Sequence, residues 1–295
     1  NVVIAQEKEL IKLSDYEDTL KILANIVLYS KQDFIKYEAN EKLLTLFEEA
    51  LTKPKAYEYN FDSLKTISKL ASPDNTFKLY TWILPKEDGT YEYFGFIHAK
   101  HKKQYNIYKL IDNSENIESP ENKTLDANNW YGALYYKIIY NKYKRKKTYT
   151  LLGWDGNNRI SNKKIIDVLT FNLSNKPIFG YPMFKGYYKK NIKRIIFEYN
   201  VNAYMTLRYE KQNIGNVIKT NKKRKESNRK VLKNELKNEK ANMIVFNRLS
   251  PFDPRTGEEK PSLEGQFQYY VPEANIIDAF IFKKGKWLFI KDIDA

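Results

Sequence analysis

The chain has 295 residues, none of which is cysteine, and it has only two histidines. Without cysteine it cannot form disulfides, thiolate zinc sites, iron–sulfur clusters or a cysteine nucleophile. A Ser-His-Asp triad would have to use His98 or His101, and the sequence has no G-x-S-x-G motif. The two histidines also lack an evident third ligand, so we predict two solvent-facing side chains at a strand end and no metal site.

Glycine, proline and long apolar runs are also scarce. The 11 glycines and 10 prolines are too few for a disordered or fibrous chain. No run approaches the roughly 20 apolar residues that a transmembrane helix needs. Neither common glycine-rich phosphate-binding pattern occurs. The sequence therefore predicts no transmembrane segment, no nucleotide site and no cofactor.

Aromatic residues, in contrast, are abundant: 24 Tyr, 16 Phe and 4 Trp. Such side chains favour the half-buried surface of a β-sheet. The first quarter of the chain differs, because its apolar residues recur at helical spacing in three stripes before Pro73. Ser14 and Glu17 have the spacing of a capping box at the start of the first helix. The stripes are Leu20, Leu23 and Val27; Leu43, Phe47 and Leu51; and Leu64, Ile67 and Leu70.

From residue 76 the apolar period changes to two, which indicates strands. Hairpins are predicted at Asp88-Gly89 and at residues 283–286. Residues 129–143 fit a helix or a strand. Further strands are predicted at 105–111, 178–184, 195–199, 203–209 and 243–246. Because no regular helices separate the strands, the sheet should be mainly antiparallel. The predicted fold is α+β: a helical N-terminal part, residues 7–73, packed on a large, mainly antiparallel β-sheet body, residues 74–295.

The chain is basic, with a net charge of +15, and the charge is concentrated in one segment. Residues 219–240 contain ten Lys or Arg and only three Asp or Glu. We predict a basic insertion in the β-rich body at residues 211–242, and interpret it as a solvated charged excursion.

The first residues carry a compartment signal. Val3 and Ala5 have the small-residue spacing that precedes a signal-peptide cleavage site, and the sequence then changes abruptly to Glu7-Lys8-Glu9. We therefore expect residues 1–6 to be the remnant of a signal peptide, and the protein to be exported to the periplasm or the medium. A short N-terminal strand is the alternative.

Four strings give the chain a family resemblance: Asp88-Gly89-Thr90-Tyr91, Trp130-Tyr131-Gly132, Gly153-Trp154-Asp155-Gly156-Asn157-Asn158 and Lys284-Gly285-Lys286-Trp287. The chain resembles, over residues 75–295, a group of exported hypothetical proteins of Bacteroidota-type bacteria. The resemblance implies export and a β-rich body, and it supplies no catalytic residue.

Three carboxylates are weak candidates for catalysis, because glycoside hydrolysis needs two carboxyl groups that face one sugar bond. Asp155, Asp167 and Glu198 lie near predicted strand ends or turns, although their spacing does not show that they converge.

The polar turn at residues 155–158 lies between two apolar runs and follows Trp154, whose ring could stack on a sugar. The candidate ligand-binding residues are therefore Trp154, Asp155, Asn157 and Asn158. Two alternatives exist for this turn. It can be closed by its own Asn and Asp side chains, or it can bind calcium, although it departs from the EF-hand pattern at Ile160 and Ile166.

Basic residues interleave with tyrosines in two further stretches. The predicted basic face consists of Lys144, Arg145, Lys146, Lys147, Lys189, Lys190 and Arg194. Such a surface suits single-stranded nucleic acid or an anionic glycan. Export favours an anionic glycan or another envelope component and disfavours nucleic acid.

These observations predict an exported, non-catalytic envelope protein that binds or scaffolds other components, with an unknown ligand. The alternative is a periplasmic or secreted hydrolase that acts on glycan or peptide. A convergent pair of buried carboxylates in a deep pocket would favour the hydrolase.

Overall fold

A computed structural model describes residues 12–102, 104–187, 191–213, 240–253, 258–259 and 269–293. The expected signal-peptide remnant, residues 1–6, lies outside these ranges. So do residues 214–239, which form most of the predicted basic insertion, and Lys189 and Lys190 of the predicted basic face. Within the described residues, no helix is both long and apolar enough to cross a bilayer.

Two helices begin the described chain, α1 (Leu13–Tyr29) and α2 (Asp33–Thr52). Leu20 and Val27 of α1, and Leu43 and Phe47 of α2, are buried, as the first two apolar stripes predict. The predicted capping box is wrong. Asp15 caps α1 by accepting a hydrogen bond from the Lys12 backbone N–H at 3.1 Å.

The third predicted helical stripe is also wrong. Residues 53–67 form turns, and Leu70 lies in the strand β1 (Ser68–Ala71). Phe61 has a φ of 51°, which an α-helix does not allow. Leu64 and Ile67 are nevertheless buried. Their spacing of three arises because the turns fold under the hydrophobic core. A helix would give the same spacing, so the sequence pattern does not distinguish the two structures.

The first of three sheets has the order β1-β2-β3-β4, with all its neighbours antiparallel. The strands that follow β1 are β2 (Phe77–Pro85), β3 (Tyr91–His101) and β4 (Gln104–Ile111). The predicted hairpin at Asp88-Gly89 joins β2 to β3, and Gly89 there has a φ of 85°.

The middle sheet has the order β5-β9-β8-β7-β6, with β11 also pairing with β8. Its strands are β5 (Leu125–Asp126), β6 (Leu134–Tyr143), β7 (Lys146–Asp155), β8 (Ser161–Phe171), β9 (Pro177–Phe179) and β11 (Ile195–Asn200). The sequence of residues 129–143 fits either a helix or a strand, and in the structure residues 134–143 form the strand β6. Only part of the predicted strand at 178–184 lies in β9.

The third sheet has the order β10-β16-β15-β13-β12, and β14 pairs with β13. Its strands are β10 (Phe184–Lys185), β12 (Leu207–Asn213), β13 (Lys240–Asp253), β14 (Glu258–Glu259), β15 (Tyr270–Lys283) and β16 (Lys286–Ile293). The predicted hairpin at 283–286 joins β15 to β16. Of the predicted strand 203–209, only the residues from Leu207 onward form a strand, as part of β12.

Every strand pair in the described residues is antiparallel except β10 with β16, which is parallel. Two helices and three antiparallel-rich sheets confirm a β-rich α+β fold. Alternating side chains give the middle sheet two buried faces. Leu151 and Ile165 join Phe77 of the first sheet in one hydrophobic cluster. Leu152 and Ile166 join residues of the third sheet, including Phe246 and Phe280, in another.

A third hydrophobic cluster contains residues of both helices and of the first sheet. It includes Leu20, Leu43 and Phe47 of the helices together with Trp82 and Phe96 of the strands. The Trp82 indole N–H donates a hydrogen bond to the Asn40 side chain at 2.8 Å.

Candidate functional site

A cleft of about 700 Å³ lies where the ends of β3 and β4 meet the turn after β7. Because its wall includes the predicted polar turn, we call it the Asp155 cleft. The lining residues that matter for its chemistry are Tyr91, Tyr93, Asp112, Tyr131, Asp155 and Lys163.

Asp155 is held by groups from two sheets. Tyr93 of the first sheet donates its hydroxyl to Asp155 Oδ1 at 2.7 Å, and the Asn157 backbone N–H donates to the same oxygen at 2.7 Å. The Tyr93 hydroxyl in turn accepts from the Gly156 backbone N–H at 2.8 Å. The Lys163 ammonium lies 3.6 Å from Asp155 Oδ2. Asp155 is 6% exposed, so it is more buried than a surface turn predicts.

Glu198 belongs to the same polar network. Asn157 donates its side-chain amide to Glu198 Oε1 at 3.0 Å and to Ser161 Oγ at 2.7 Å. Ser161 donates its hydroxyl to Glu198 Oε1 at 2.6 Å, and Lys163 donates to Asn157 Oδ1 at 2.7 Å. Two of the three candidate carboxylates, Asp155 and Glu198, are therefore linked through Asn157 and Lys163, although only Asp155 lines the cleft.

Asn158 and Trp154 support the turn from its two ends. Asn158 Oδ1 accepts from the backbone N–H groups of Ile160 and Ser161 at 2.9 and 3.0 Å. This is the capping role that the structural alternative predicts. Trp154 packs edge-on against Tyr91, with the ring centroids 5.5 Å apart. Tyr91, rather than Trp154, lines the cleft.

Asp112 is a cleft carboxylate that the sequence did not single out. It accepts from the backbone N–H groups of Tyr93, Ser114 and Gly132 and from the Ser114 hydroxyl. Burial raises the pKa of Asp112 above its usual value, in spite of these hydrogen bonds. The Asp112-Asn113-Ser114 sequence directly after β4 is a turn signal, which could have indicated its position but not its burial.

Tyr131 completes the floor of the cleft. Burial, with the nearby Asp155 charge, raises the pKa of Tyr131. The guanidinium carbon of Arg194 lies 5.4 Å from the centroid of its ring. The phenol therefore stays protonated at neutral pH and keeps a hydroxyl at the cleft.

Asp167, the third candidate carboxylate, is not at the cleft. It is fully buried and pairs with Arg194, whose Nε lies 2.6 Å from Asp167 Oδ2. Asp167 also accepts from the backbone N–H groups of Val168 and Gly180 at 2.7 and 3.1 Å. Its contacts are those of a core residue, because every neighbour belongs to the protein interior.

Five residues of the predicted basic face lie within the described residues, and they differ in exposure. Lys144, Arg145, Lys146 and Lys147 are exposed around the turn between β6 and β7. Arg194 is fully buried, so its assignment to this face is wrong. The physical reason is the charge of Asp167, which stabilises the guanidinium inside the protein.

The histidine prediction is wrong for His98. Residues three apart on a strand lie on opposite faces, so His98 and His101 do not converge. His98 is 1% exposed, and within the part of the chain that the structure describes neither of its ring nitrogens has a hydrogen-bond partner. Among the described residues, no group of three or more acidic or histidine side chains is placed to hold a metal ion.

Comparison of the chain with protein-family models, with curated proteins and with solved structures finds no match.

Proposed function

We propose that the protein is a non-catalytic binding protein of the cell envelope, and that the Asp155 cleft binds a saccharide. One observation carries this proposal. Both oxygens of Asp112 and Oδ1 of Asp155 already accept hydrogen bonds from the protein itself, and Asp155 Oδ2 faces the Lys163 ammonium at 3.6 Å. A catalytic carboxylate needs an oxygen free to meet the substrate.

The remaining wall offers the groups that recognise sugars. Tyr91 supplies an aromatic ring, while Asn116 and the exposed Lys109 supply polar side chains. Aromatic and amide groups around a largely preformed cleft suit a polyhydroxylated ligand. Lys109 and Lys163 extend this preference to sugars that carry carboxylates.

The helical N-terminal part, we further infer, packs on the β-rich body as a single unit with it. The cluster that Phe47 shares with Trp82 and Phe96 supports this arrangement. In this proposed arrangement the helices lie on the face of the first sheet opposite the middle sheet, and they would hold β3 and β4, and thus one wall of the cleft, in position.

Binding is tested by calorimetric titration of the purified protein with cello-oligosaccharides, xylo-oligosaccharides and oligogalacturonides. We expect binding of at least one series, and at least fivefold weaker binding by Lys109→Ala. Lys137→Ala, which removes an exposed lysine outside the cleft, is the matched control and should bind as the wild type does. Absence of binding to all three series, or equal loss in both variants, would contradict the proposal.

A hydrolase is the second candidate, and one observation favours it. Asp112, whose pKa is raised by burial, and Asp155 are held at the same cleft by the backbone and the hydroxyl of Tyr93. A carboxyl group with a raised pKa beside a second carboxyl group is an arrangement that glycoside hydrolysis uses. Incubating each oligosaccharide with the protein distinguishes the two functions, because shorter products that Asp112→Asn fails to form would establish hydrolysis.

Export remains a prediction from the sequence. Fractionation of cells that express the full-length precursor should place a shortened product outside the cytoplasm. An uncleaved cytosolic protein would remove the preference for an envelope ligand over nucleic acid.

A further inference from the structure

A second cavity, of about 390 Å³, lies beside the turn between β6 and β7 and is separate from the Asp155 cleft. We call it the basic pocket. It collects residues from the end of β3, the β6–β7 hairpin and the turn after β8. Its lining includes Lys100, Arg145, Lys147, Tyr149 and Asn175.

The charged side chains that line the basic pocket are all positive among the described residues. The described residues that line it include four Lys or Arg side chains and no carboxylate. The adjacent Asp74 accepts from Lys147 Nζ and from the Tyr149 hydroxyl, each at 2.9 Å, and from the Thr76 hydroxyl at 2.8 Å. Asp74 therefore offsets one lysine and has its own hydrogen bonds satisfied.

Lys100 and Arg145 line the pocket without an ion-pair partner among the described residues. The Lys100 ammonium lies 5.6 Å from the ring centroid of Tyr57 and 5.8 Å from that of Tyr105, contacts that orient a cation without neutralising it. None of the ion pairs within the described residues includes Lys100 or Arg145. The pocket therefore carries uncompensated positive charge.

Asn175 gives the second, independent observation. Its side-chain nitrogen is buried, yet it has no hydrogen-bond partner among the described residues. The turn fixes this amide, because the Asn175 backbone N–H donates to Asn172 O at 2.9 Å and the Asn175 carbonyl accepts from the Tyr108 hydroxyl at 2.9 Å. A buried donor without an acceptor costs free energy, which a bound acceptor would recover.

From these two observations we infer that the basic pocket binds a tetrahedral oxyanion, a phosphate or sulfate group, free or as the ester of a small molecule. The oxyanion would accept from the Asn175 amide and from Arg145, whose planar guanidinium suits two oxygens at once. The volume exceeds what one inorganic ion fills, so a sugar attached to the group also fits. This inference does not depend on the Asp155 cleft.

The test is thermal unfolding of the purified protein in sodium phosphate, sodium sulfate, glucose 6-phosphate and glucose 6-sulfate, each against sodium chloride of equal ionic strength. We expect phosphate or sulfate groups to raise Tm above chloride, because a ligand that binds only the folded state stabilises it. A larger rise with a sugar ester than with its inorganic ion would identify the ester as the ligand, and equal rises would identify the free anion.

Two double variants remove the same charge from different places. Lys100→Ala with Arg145→Ala removes two cations that line the pocket and have no ion-pair partner among the described residues, and we expect the Kd for the anion to rise at least tenfold. Lys137→Ala with Lys142→Ala removes two exposed lysines that do not line the pocket and should leave the response unchanged. Equal responses of both variants, or a response to chloride as large as that to phosphate and sulfate, would overturn the inference.

Asn175→Asp provides a test that does not depend on charge removal. A carboxylate at this position would take the place of the anion, so the variant should have a raised Tm in chloride and should no longer respond to phosphate or sulfate. Asn175→Ser, which keeps a small polar side chain, should show a weakened response without the rise in chloride. An undiminished response in both variants would contradict the assignment.

Discussion

Arg194 and Asp167 form an ion pair in which both side chains are fully buried, with 2.6 Å between Arg194 Nε and Asp167 Oδ2. The sequence predicted that Arg194 belongs to a basic face and that Asp167 is a candidate catalytic carboxylate. Their position in the interior instead makes them part of the scaffold beneath the Asp155 cleft, where Arg194 supports the ring of Tyr131.

The first prediction concerns this pair. Arg194→Met and Asp167→Asn should each lower the free energy of unfolding by about 3 to 5 kcal/mol, because each leaves a buried partner uncompensated. The double variant should cost less than the sum of the two, by about 1 to 3 kcal/mol. Chemical denaturation measures all four proteins, and strictly additive costs would show that the two side chains do not stabilise each other.

The second prediction concerns pH. Burial, with the nearby Lys78 charge, lowers the pKa of His98 to about 4, from an ordinary value of 6.5. The unfolded chain binds a proton near pH 6.5 and the folded protein does not, so stability should be complete above pH 6.5 and fall as the pH drops towards 4. The loss should reach about 3 kcal/mol.

Two substitutions isolate this effect in urea denaturation between pH 4 and 8. His98→Phe should flatten the pH dependence over that window, and His98→Met serves if the larger ring does not fit. His101→Gln, which replaces the exposed histidine, should retain the wild-type profile. An unchanged profile in both His98 variants would assign the pH dependence to other groups.

The third prediction concerns the link between Tyr93 and Asp155. Asp155→Ala should lower the free energy of unfolding by about 2 kcal/mol, because it leaves the Tyr93 hydroxyl and the Asn157 N–H without their acceptor. Tyr93→Phe should cost about 1 to 2 kcal/mol, since it removes the hydroxyl that joins the two sheets. Thermal denaturation with and without calcium is the measurement, and stabilisation of the wild type by calcium would favour the calcium alternative for this turn.

The fourth prediction concerns Gly156. A Cβ at this position would lie 2.3 Å from the ring of Tyr91. This distance is too short for a contact, so the ring or the turn would have to move. Gly156→Ala should therefore cost about 1 to 3 kcal/mol. Adding Tyr91→Leu should recover part of that loss, whereas Tyr91→Leu alone should be destabilising. If the double variant recovers no stability, the backbone conformation of the glycine, rather than the clash with Tyr91, would account for the loss.

The sequence by itself determined the local structure of several strands and of two hairpins, where the pattern acts between neighbours. The period of two in β2, the Asp88-Gly89 turn and the alternation of Leu151 and Leu152 require only nearest-neighbour geometry, and the strands and hairpins follow from them. Helical spacing likewise predicted α1 and α2. It failed for Leu64 and Ile67, because a spacing of three also suits turns whose apolar residues fold under a core.

Only the tertiary structure decided which polar residues meet. Asp155 and Glu198 are 43 positions apart in the chain and Tyr93 is more distant still, yet all three belong to one network, because the first and middle sheets pack face to face. Arg194 and His98 read as surface residues from their type, since a charged or titratable side chain is usually solvated. Their burial is set by distant partners, Asp167 for the arginine and the Tyr57 and Tyr105 rings for the histidine, and no local pattern records such contacts.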